Sequence, residues 1–150
     1  MSVEHEPWAE PVYLDASAFV KLRVPEDGSD ALNEALSGHT HVIVSDLALT
    51  ELASALGRRW REHRISGEEA RRLYREAATV YAAAQQAEVT PPVHRRAERL
   101  MLTLPVPLRT LDALHHATAL AAQAATLVTF DPRLRTAAAS QGLFVAPATM

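Results

Sequence analysis

The chain has 150 residues, of which 48% are hydrophobic and none is cysteine. This length suits one domain with a sizeable core, and the lack of thiols excludes disulfides and thiolate metal sites. With 18 acidic and 15 basic residues the formal net charge is −3, which excludes a protein that coats nucleic acid through an overall basic surface. We therefore predict a single domain over residues 1–150.

The chain begins with a polar segment, residues 1–10, which we interpret as an N-terminal tail. This segment lacks the basic and apolar regions of a secretory signal. No apolar run in the chain approaches the roughly 18 residues that a membrane span needs. We therefore expect a cytoplasmic protein that does not contact a membrane.

Five short apolar runs are typical of strands, and they alternate with helical patterns along the chain. The predicted strands cover residues 12–14, 41–44, 87–89, 127–130 and 143–145. The predicted helices cover residues 16–22, 29–36, 47–64, 91–104, 111–124 and 132–141, and one more runs from a break at 66–69 to residue 84. This alternation predicts an α/β fold with a parallel sheet, and the two helices within 47–84 predict a helical hairpin inserted on that sheet.

Polar residues mark the ends of several predicted helices. Ser45 or Asp46 can cap the third helix, and Thr110 can cap the sixth. Pro132 suits the first position of the last helix, which Gly142 ends.

Four acidic residues occur where a parallel fold brings distant parts of the chain together. Asp15 and Asp131 each follow a predicted apolar strand, and Glu51 and Asp112 lie in the opening turns of two alanine-rich helices. The carboxyl ends of the strands and the helices after them share one edge, where such folds bind ligands. Carboxylates that converge without basic partners repel each other, and a hard cation such as Mg²⁺ removes the repulsion. The pattern therefore predicts metal-dependent chemistry on phosphates.

A purely structural explanation competes with the functional one for each acid. Asp131 before a proline is a good helix cap, and Asp112 is favoured by the helix dipole near the start of its helix. Asp15 and Glu51 are harder to explain in this way, because each lies in an apolar stretch where an unpaired charge is costly. One shared reason for all four acids is favoured over four separate ones.

The basic residues and the histidines give weaker indications. Seven arginines lie on the helical hairpin with glutamates interleaved at helical distances, which favours a solvent-exposed face over a nucleic-acid or partner surface. Arg109 and Arg133 are better candidates for binding substrate, because each lies within a few residues of a proposed ligand and a guanidinium can hold a phosphate. The histidines have no metal-site spacing, and only His116, one turn after Asp112, is a candidate for supporting the site.

Four segments of this chain, in this order, resemble the PIN-domain ribonucleases, and within them the VapC-type toxins of bacterial toxin–antitoxin pairs. The segments are YLDASA at 13–18, SDLALTEL at 45–52, LDALHHATA at 111–119 and LVTFDPRL at 127–134. Each segment contains one of the four acids. Any one of them is a weak motif, whereas four in order across nearly the whole chain are a strong one.

The resemblance implies a five-stranded parallel sheet in the order 3-2-1-4-5, flanked by helices. It implies cleavage of single-stranded RNA with Mg²⁺ or Mn²⁺, a homodimer and a small inhibitory antitoxin. Asp15, Asp112 and Asp131 would hold the ion, and Glu51 would act as a further ligand or orient the attacking water. Ser17 and Thr129 are candidates for hydrogen bonds to these carboxylates. Some relatives carry a further acid after the last one, but Pro132-Arg133-Leu134-Arg135 follows here, so the number of metal ions stays open.

The same residues fit other functions less well. A phosphatase of the haloacid dehalogenase type would use Asp15 as nucleophile, but Ser17 stands where a second aspartate is needed. That family and receiver domains both need a lysine that this chain does not place suitably. A PIN nuclease of RNA processing and a non-catalytic PIN scaffold that binds RNA or protein stay as alternatives.

Overall fold

The computed structural model describes residues 6–148, whose centre is a sheet of five parallel strands. The strands are β1 (Val12–Leu14), β2 (Val42–Ser45), β3 (Gln85–Ala87), β4 (Thr126–Val128) and β5 (Phe144–Ala146). They lie in the order β3-β2-β1-β4-β5, and every neighbouring pair is parallel. The predicted fold class and strand order are confirmed.

Seven helices connect and cover the strands in this part of the chain. They are α1 (Ala16–Arg23), α2 (Ser29–Leu36), α3 (Asp46–Arg61), α4 (Gly67–Ala83), α5 (Pro91–Thr103), α6 (Thr110–Ala121) and α7 (Pro132–Ser140). The helices α3 and α4 form the predicted hairpin. No helix within residues 6–148 is long and apolar enough to cross a membrane.

Side-chain caps fix where several helices begin. The Ser45 side chain accepts a hydrogen bond from the Ala48 amide at the start of α3, and Ser66 accepts one from Glu69 at the start of α4. These bonds satisfy amides that have no partner in the first helical turn. The two caps therefore fix where each helix of the hairpin begins.

The sheet separates two parts of the core, and the residues of β1 alternate between them. Val12 and Leu14 pack with α1, α3 and α4, whereas Tyr13 belongs to the core beside α6 and α7. Successive side chains of a strand point to opposite faces, so Asp15, two residues after Tyr13, is directed to the side of α6. This alternation decides which helices can share a site with Asp15.

Most predicted boundaries differ from the structure by one to three residues, and two of the differences have a specific cause. The third strand was predicted at 87–89 but is Gln85–Ala87, because its polar residues form an exposed edge strand while Val89 packs with α5 and α6. Thr110 was predicted as a cap, but it is the first residue of α6, and Arg109 is at the cap position without a side-chain hydrogen bond.

The described part of the N-terminal segment lies against the domain. The Trp8 amide donates a hydrogen bond to His39 Nε2 at 2.9 Å, and the two rings stack with centroids 5.3 Å apart. Residues 6–10 form no helix or strand. Residues 1–5 of the predicted tail lie outside the described residues.

Candidate active site at the carboxyl edge of the sheet

Asp15 lies at the end of the central strand and is almost completely buried, with 3% of its surface exposed. Its Oδ1 accepts hydrogen bonds from Ser17 Oγ at 2.7 Å and from the Ala18 amide at 2.9 Å. Its Oδ2 accepts one from the Thr129 hydroxyl. Burial raises the pKa of the Asp15 carboxyl above its usual range, and the charge of His115 and these hydrogen bonds act in the opposite direction. Asp15 is therefore a buried carboxylate held in one orientation from both sides.

The hydroxyls that hold Asp15 also hold the loop that carries Asp131. Thr129 Oγ1 accepts a hydrogen bond from the Asp131 amide at 3.0 Å, and Ser17 Oγ accepts one from the Phe130 amide at 2.9 Å. Ser17 and Thr129 therefore contact both Asp15 and the chain next to Asp131. This is the supporting position that the sequence predicts for them.

Asp131 caps helix α7, as the proline after it indicates. Its Oδ1 accepts hydrogen bonds from the Arg133 amide at 2.8 Å and from the Leu134 amide at 3.2 Å. Both bonds use the same oxygen. Capping therefore fixes the carboxylate at the sheet edge while engaging only Oδ1.

Asp112 is the third residue of α6 and is half-buried. Among the described residues its Oδ2 has no hydrogen-bond partner, although the atom is buried. Burial raises the pKa of the Asp112 carboxyl, the charges of Asp131 and Asp15 raise it further, and a backbone hydrogen bond at Arg109 partly opposes them. The three aspartates thus influence one another electrostatically, as expected for acids that share one site.

Glu51 is bound to a histidine that the sequence analysis missed. Its Oε2 lies 2.5 Å from His115 Nε2, and His115 Nδ1 lies 2.8 Å from the Tyr13 hydroxyl. Asp112 and His115 are three residues apart, a spacing that puts two side chains on one helix face. That spacing was a signal for His115, but it applied equally to His116, four residues after Asp112.

His116, which the sequence analysis favoured instead, is completely buried. Neither of its ring nitrogens has a hydrogen-bond partner within residues 6–148. Burial lowers the pKa of this imidazole to about 4. His116 therefore packs in the core as a neutral side chain and does not contact the acids.

A cleft of about 380 Å³ opens beside Glu51, the only one of the four acids that lines it. Its lining consists of Ala16, Ser17, Val20, Lys21, Glu26, Glu51, Ala55 and Phe130. Lys21 Nζ lies 4.8 Å from the centre of the Phe130 ring and 3.5 Å from Glu26 Oε1. The cleft thus combines a cation and an aromatic ring beside Glu51. Arg109 and Arg133, the predicted substrate-binding residues, are exposed and do not line it.

The donor atoms at this edge of the sheet are of the chemical type that binds a hard cation. They are carboxylate oxygens, which Mg²⁺ and Mn²⁺ take as ligands, and Asp112 Oδ2 is a buried acceptor without a partner. Within residues 6–148, however, no three His, Asp or Glu side chains are arranged so that they could hold one ion together. Coordination by Asp15, Asp112 and Asp131 together would therefore need rotation of at least one side chain.

The fold and the edge together define an α/β domain with an acidic site at the carboxyl ends of β1 and β4. The PIN domain family model matches residues 12–140. The chain is 37% identical to ribonuclease VapC45 of Mycobacterium tuberculosis over 141 residues, which is 93% of this chain and 96% of that protein. It is 40% identical to ribonuclease VapC46 of the same species over 136 residues, 89% of this chain and 95% of that protein.

A solved structure has the same fold. It is that of Mycobacterium tuberculosis VapC20, a toxin that cleaves the sarcin–ricin loop. It matches with a TM-score of 0.68 at 18% identity, over 84% of this chain and 94% of that one. The chain belongs to the PIN domain family.

Proposed function

We propose that this protein is a metal-dependent endoribonuclease that cleaves single-stranded RNA, and that it is the toxin of a toxin–antitoxin pair. The observation that carries the proposal is the geometry at one edge of the sheet, where Ser17 and Thr129 bind both Asp15 and the chain beside Asp131 and where Asp112 has a buried oxygen without a partner among residues 6–148. The likeness to VapC ribonucleases over nearly the whole chain supports the choice of RNA as substrate. A non-catalytic scaffold has no use for mutually repelling carboxylates, one of which has a buried oxygen without a partner.

In this proposal Asp15, Asp112 and Asp131 hold Mg²⁺ or Mn²⁺, and Glu51 completes the site. Such an ion, when bound, polarises a phosphoryl oxygen and lowers the pKa of a bound water. Ser17 and Thr129 keep Asp15 oriented through their hydrogen bonds. Glu51 lines the cleft, where its carboxylate can accept a hydrogen bond from the attacking water and align it with the phosphate.

The proposed RNA strand passes through the cleft beside Glu51. Lys21 supplies a positive charge for a phosphate, and Phe130 supplies an apolar ring against which a base can pack. Arg109 and Arg133 are exposed close in sequence to Asp112 and Asp131. We assign them to phosphates farther along the strand.

The test is cleavage of a labelled single-stranded RNA by the purified protein with Mg²⁺, with Mn²⁺ and with EDTA. We expect cleavage with either ion and none with EDTA. Asp15→Asn should lower the rate by at least about 100-fold, because the amide keeps the shape but loses the charge. Asp30→Asn, which changes an exposed acid on α2, is the matched control and should cleave at the wild-type rate. Cleavage that survives EDTA, or a folded Asp15→Asn protein of full activity, would refute the assignment.

We further propose that the antitoxin binds the hairpin. A groove of about 420 Å³ lies between α3 and α4, and it is lined by Trp60, Tyr74, Arg71 and Arg75 among others. Trp60 is 52% exposed, which is unusual for so large a side chain and favours a partner with apolar and acidic residues. In a growth assay, co-expression of the small protein encoded next to this chain should relieve arrest by the wild type and by Leu102→Ala, but not by Trp60→Ala. Relief of the Trp60→Ala protein would exclude the groove.

We also propose that the protein is a homodimer that buries apolar side chains of the hairpin. Exposed side chains on both helices support this choice, among them Val80, which is 36% exposed. Light scattering at tens of micromolar should give twice the chain mass of 16.4 kDa. A monomer at that concentration would contradict the proposal.

A further inference from the structure

Three side chains form a line of hydrogen bonds from the core to the cleft. The Tyr13 hydroxyl lies 2.8 Å from His115 Nδ1, and His115 Nε2 lies 2.5 Å from Glu51 Oε2. Tyr13 and His115 are 0% and 3% exposed, whereas Glu51 lines the cleft. The two inner residues therefore meet the cleft only through Glu51.

The chemistry of the Glu51 carboxylate fixes the direction of one of the two hydrogen bonds. A carboxylate can only accept, so His115 Nε2 carries the hydrogen that it shares with Glu51. The Tyr13 hydroxyl can donate to Nδ1 or accept from it, so it pairs with the ring in either case. Burial raises the pKa of Tyr13 far above its ordinary value, so the phenol keeps its hydrogen. Both ring nitrogens of His115 have a partner in this arrangement.

A tautomer with its hydrogen on Nδ1 alone would break the line at Glu51. A lone pair on Nε2 would then face the carboxylate oxygen of Glu51. A buried polar group without a partner costs free energy that neighbouring contacts do not recover. The Glu51 carboxylate therefore requires the hydrogen on Nε2, and the Tyr13 hydroxyl holds the other side of the ring.

This arrangement restricts a side chain that is otherwise flexible. Glu51 is the sixth residue of α3. Fixing a glutamate side chain in one conformation costs entropy. Within residues 6–148 its one side-chain hydrogen bond is to Oε2. The bond from His115 thus fixes the carboxylate through one oxygen and leaves Oε1 for a group in the cleft.

We propose that His115 and Tyr13 are positioning residues, which hold the Glu51 carboxylate in one orientation at the cleft. The proposal rests on the nuclease function proposed above. It assigns a role in the chemical step to two residues that do not reach the substrate. A contact that served only the fold would not need to end on a carboxylate that lines the cleft. Here His115 donates from Nε2 to that carboxylate.

The kinetic test compares two substitutions of His115. His115→Gln keeps an N–H donor close to the position of Nε2, whereas His115→Leu removes it. We expect His115→Leu to lower kcat on a single-stranded RNA by about 10–100-fold with little change in KM, and His115→Gln to recover most of that loss. His116→Leu changes the neighbouring buried histidine and should leave kcat unchanged. Equal losses in the Gln and Leu variants, or a loss that follows their melting temperatures, would overturn the positioning role.

The spectroscopic test needs neither RNA nor metal. Long-range ¹H–¹⁵N spectra of the imidazoles should show a hydrogen on His115 Nε2, and Tyr13→Phe, a variant that keeps the ring, should displace the Nδ1 resonance while leaving the hydrogen on Nε2. An Nδ1–H tautomer in the wild type would overturn the proposal. If the wild type shows the expected tautomer but cleaves no RNA, then the nuclease function has failed and the positioning role fails with it, while the hydrogen-bonded line stands.

Discussion

Asp112→Asn should have opposite effects on the protein with and without metal. The Asp112 carboxylate has a buried oxygen without a partner, and the charges of Asp131 and Asp15 add to the cost of ionising it. An amide of the same shape removes the charge. We therefore expect the variant to be more stable than the wild type in EDTA and less stabilised by Mg²⁺.

The magnitude follows from the charge that is removed. Like charges repel by about 4 kcal/mol at about 4 Å and an effective dielectric near 20, and Asp112 is only half-buried, so we take about 1 kcal/mol. A gain of about 1 kcal/mol corresponds to a rise in Tm of about 2–4 °C for a domain of this size. Mg²⁺ at about 100 times its Kd stabilises the wild type by about 2.7 kcal/mol, a rise of about 5–10 °C. The variant should show less than half of that rise.

The advantage of the variant in EDTA should depend on pH. The pKa of Asp112 is raised in the folded protein above its ordinary value of 3.8. The ionised carboxyl therefore destabilises the fold at a pH above the raised pKa, and protonation relieves this as the pH falls towards 3.8. The difference in Tm between the variant and the wild type in EDTA should be largest at pH 7 and should disappear in acid.

The assay is thermal unfolding followed by circular dichroism, in EDTA and in Mg²⁺, with Asp30→Asn as the control. The control removes the same charge from the first turn of another helix, at an exposed position. It should be no more stable than the wild type in EDTA, because the helix dipole favours that acid, and it should keep the full Mg²⁺ shift. A lower Tm for Asp112→Asn in EDTA, or an undiminished Mg²⁺ shift, would refute the reasoning. Asp112 would then be a helix-start residue without a share in the site.

Three further predictions concern single residues. Burial lowers the pKa of His116 from 6.5 to about 4. The free energy of unfolding should therefore fall by up to about 3 kcal/mol as the pH falls through this window. Urea unfolding at several pH values should show the loss, and His116→Leu should reduce it. Thr129→Val removes a hydroxyl that binds both Asp15 and the Asp131 amide, so RNA cleavage should fall about 10–100-fold in a protein that circular dichroism shows to be folded. Ser66→Ala removes the cap of α4 and should cost about 1 kcal/mol in urea unfolding without changing the cleavage rate.

The bounds of a strand or helix were predicted correctly where residues that end such elements flank an apolar pattern. The strand at 12–14 and the helix at 29–36 were predicted with the bounds that the structure has, because proline, glycine and polar residues flank them. The convergence of strand ends predicted one edge for the acids, since parallel strands present their carboxyl ends together. β3 was misplaced because an exposed edge strand of polar residues has no apolar pattern to detect.

The inner contacts of the site could not be predicted in the same way. His115 and His116 are adjacent, and which of them faces Glu51 depends on the rotation of α6 against the sheet, set by the packing of Ala113, Leu114 and Ala117 with α5. The contact of Tyr13 with His115 joins residues 102 positions apart. Likewise, Lys21 reaches the cleft only because α1 packs beside α3, a tertiary contact that no local pattern encodes.

Lys21 makes the cleft accessible to selective labelling, because it is the only lysine in the chain. Reductive methylation with ¹³C-formaldehyde keeps the positive charge and adds labelled methyl groups to Lys21 and to the N-terminal amine. The Lys21 ammonium lies over the Phe130 ring, so the ring current should displace its signal from that of a free lysine. Titration with RNA can then be followed at the cleft by one resonance, without introducing a cysteine or changing a side chain by mutation.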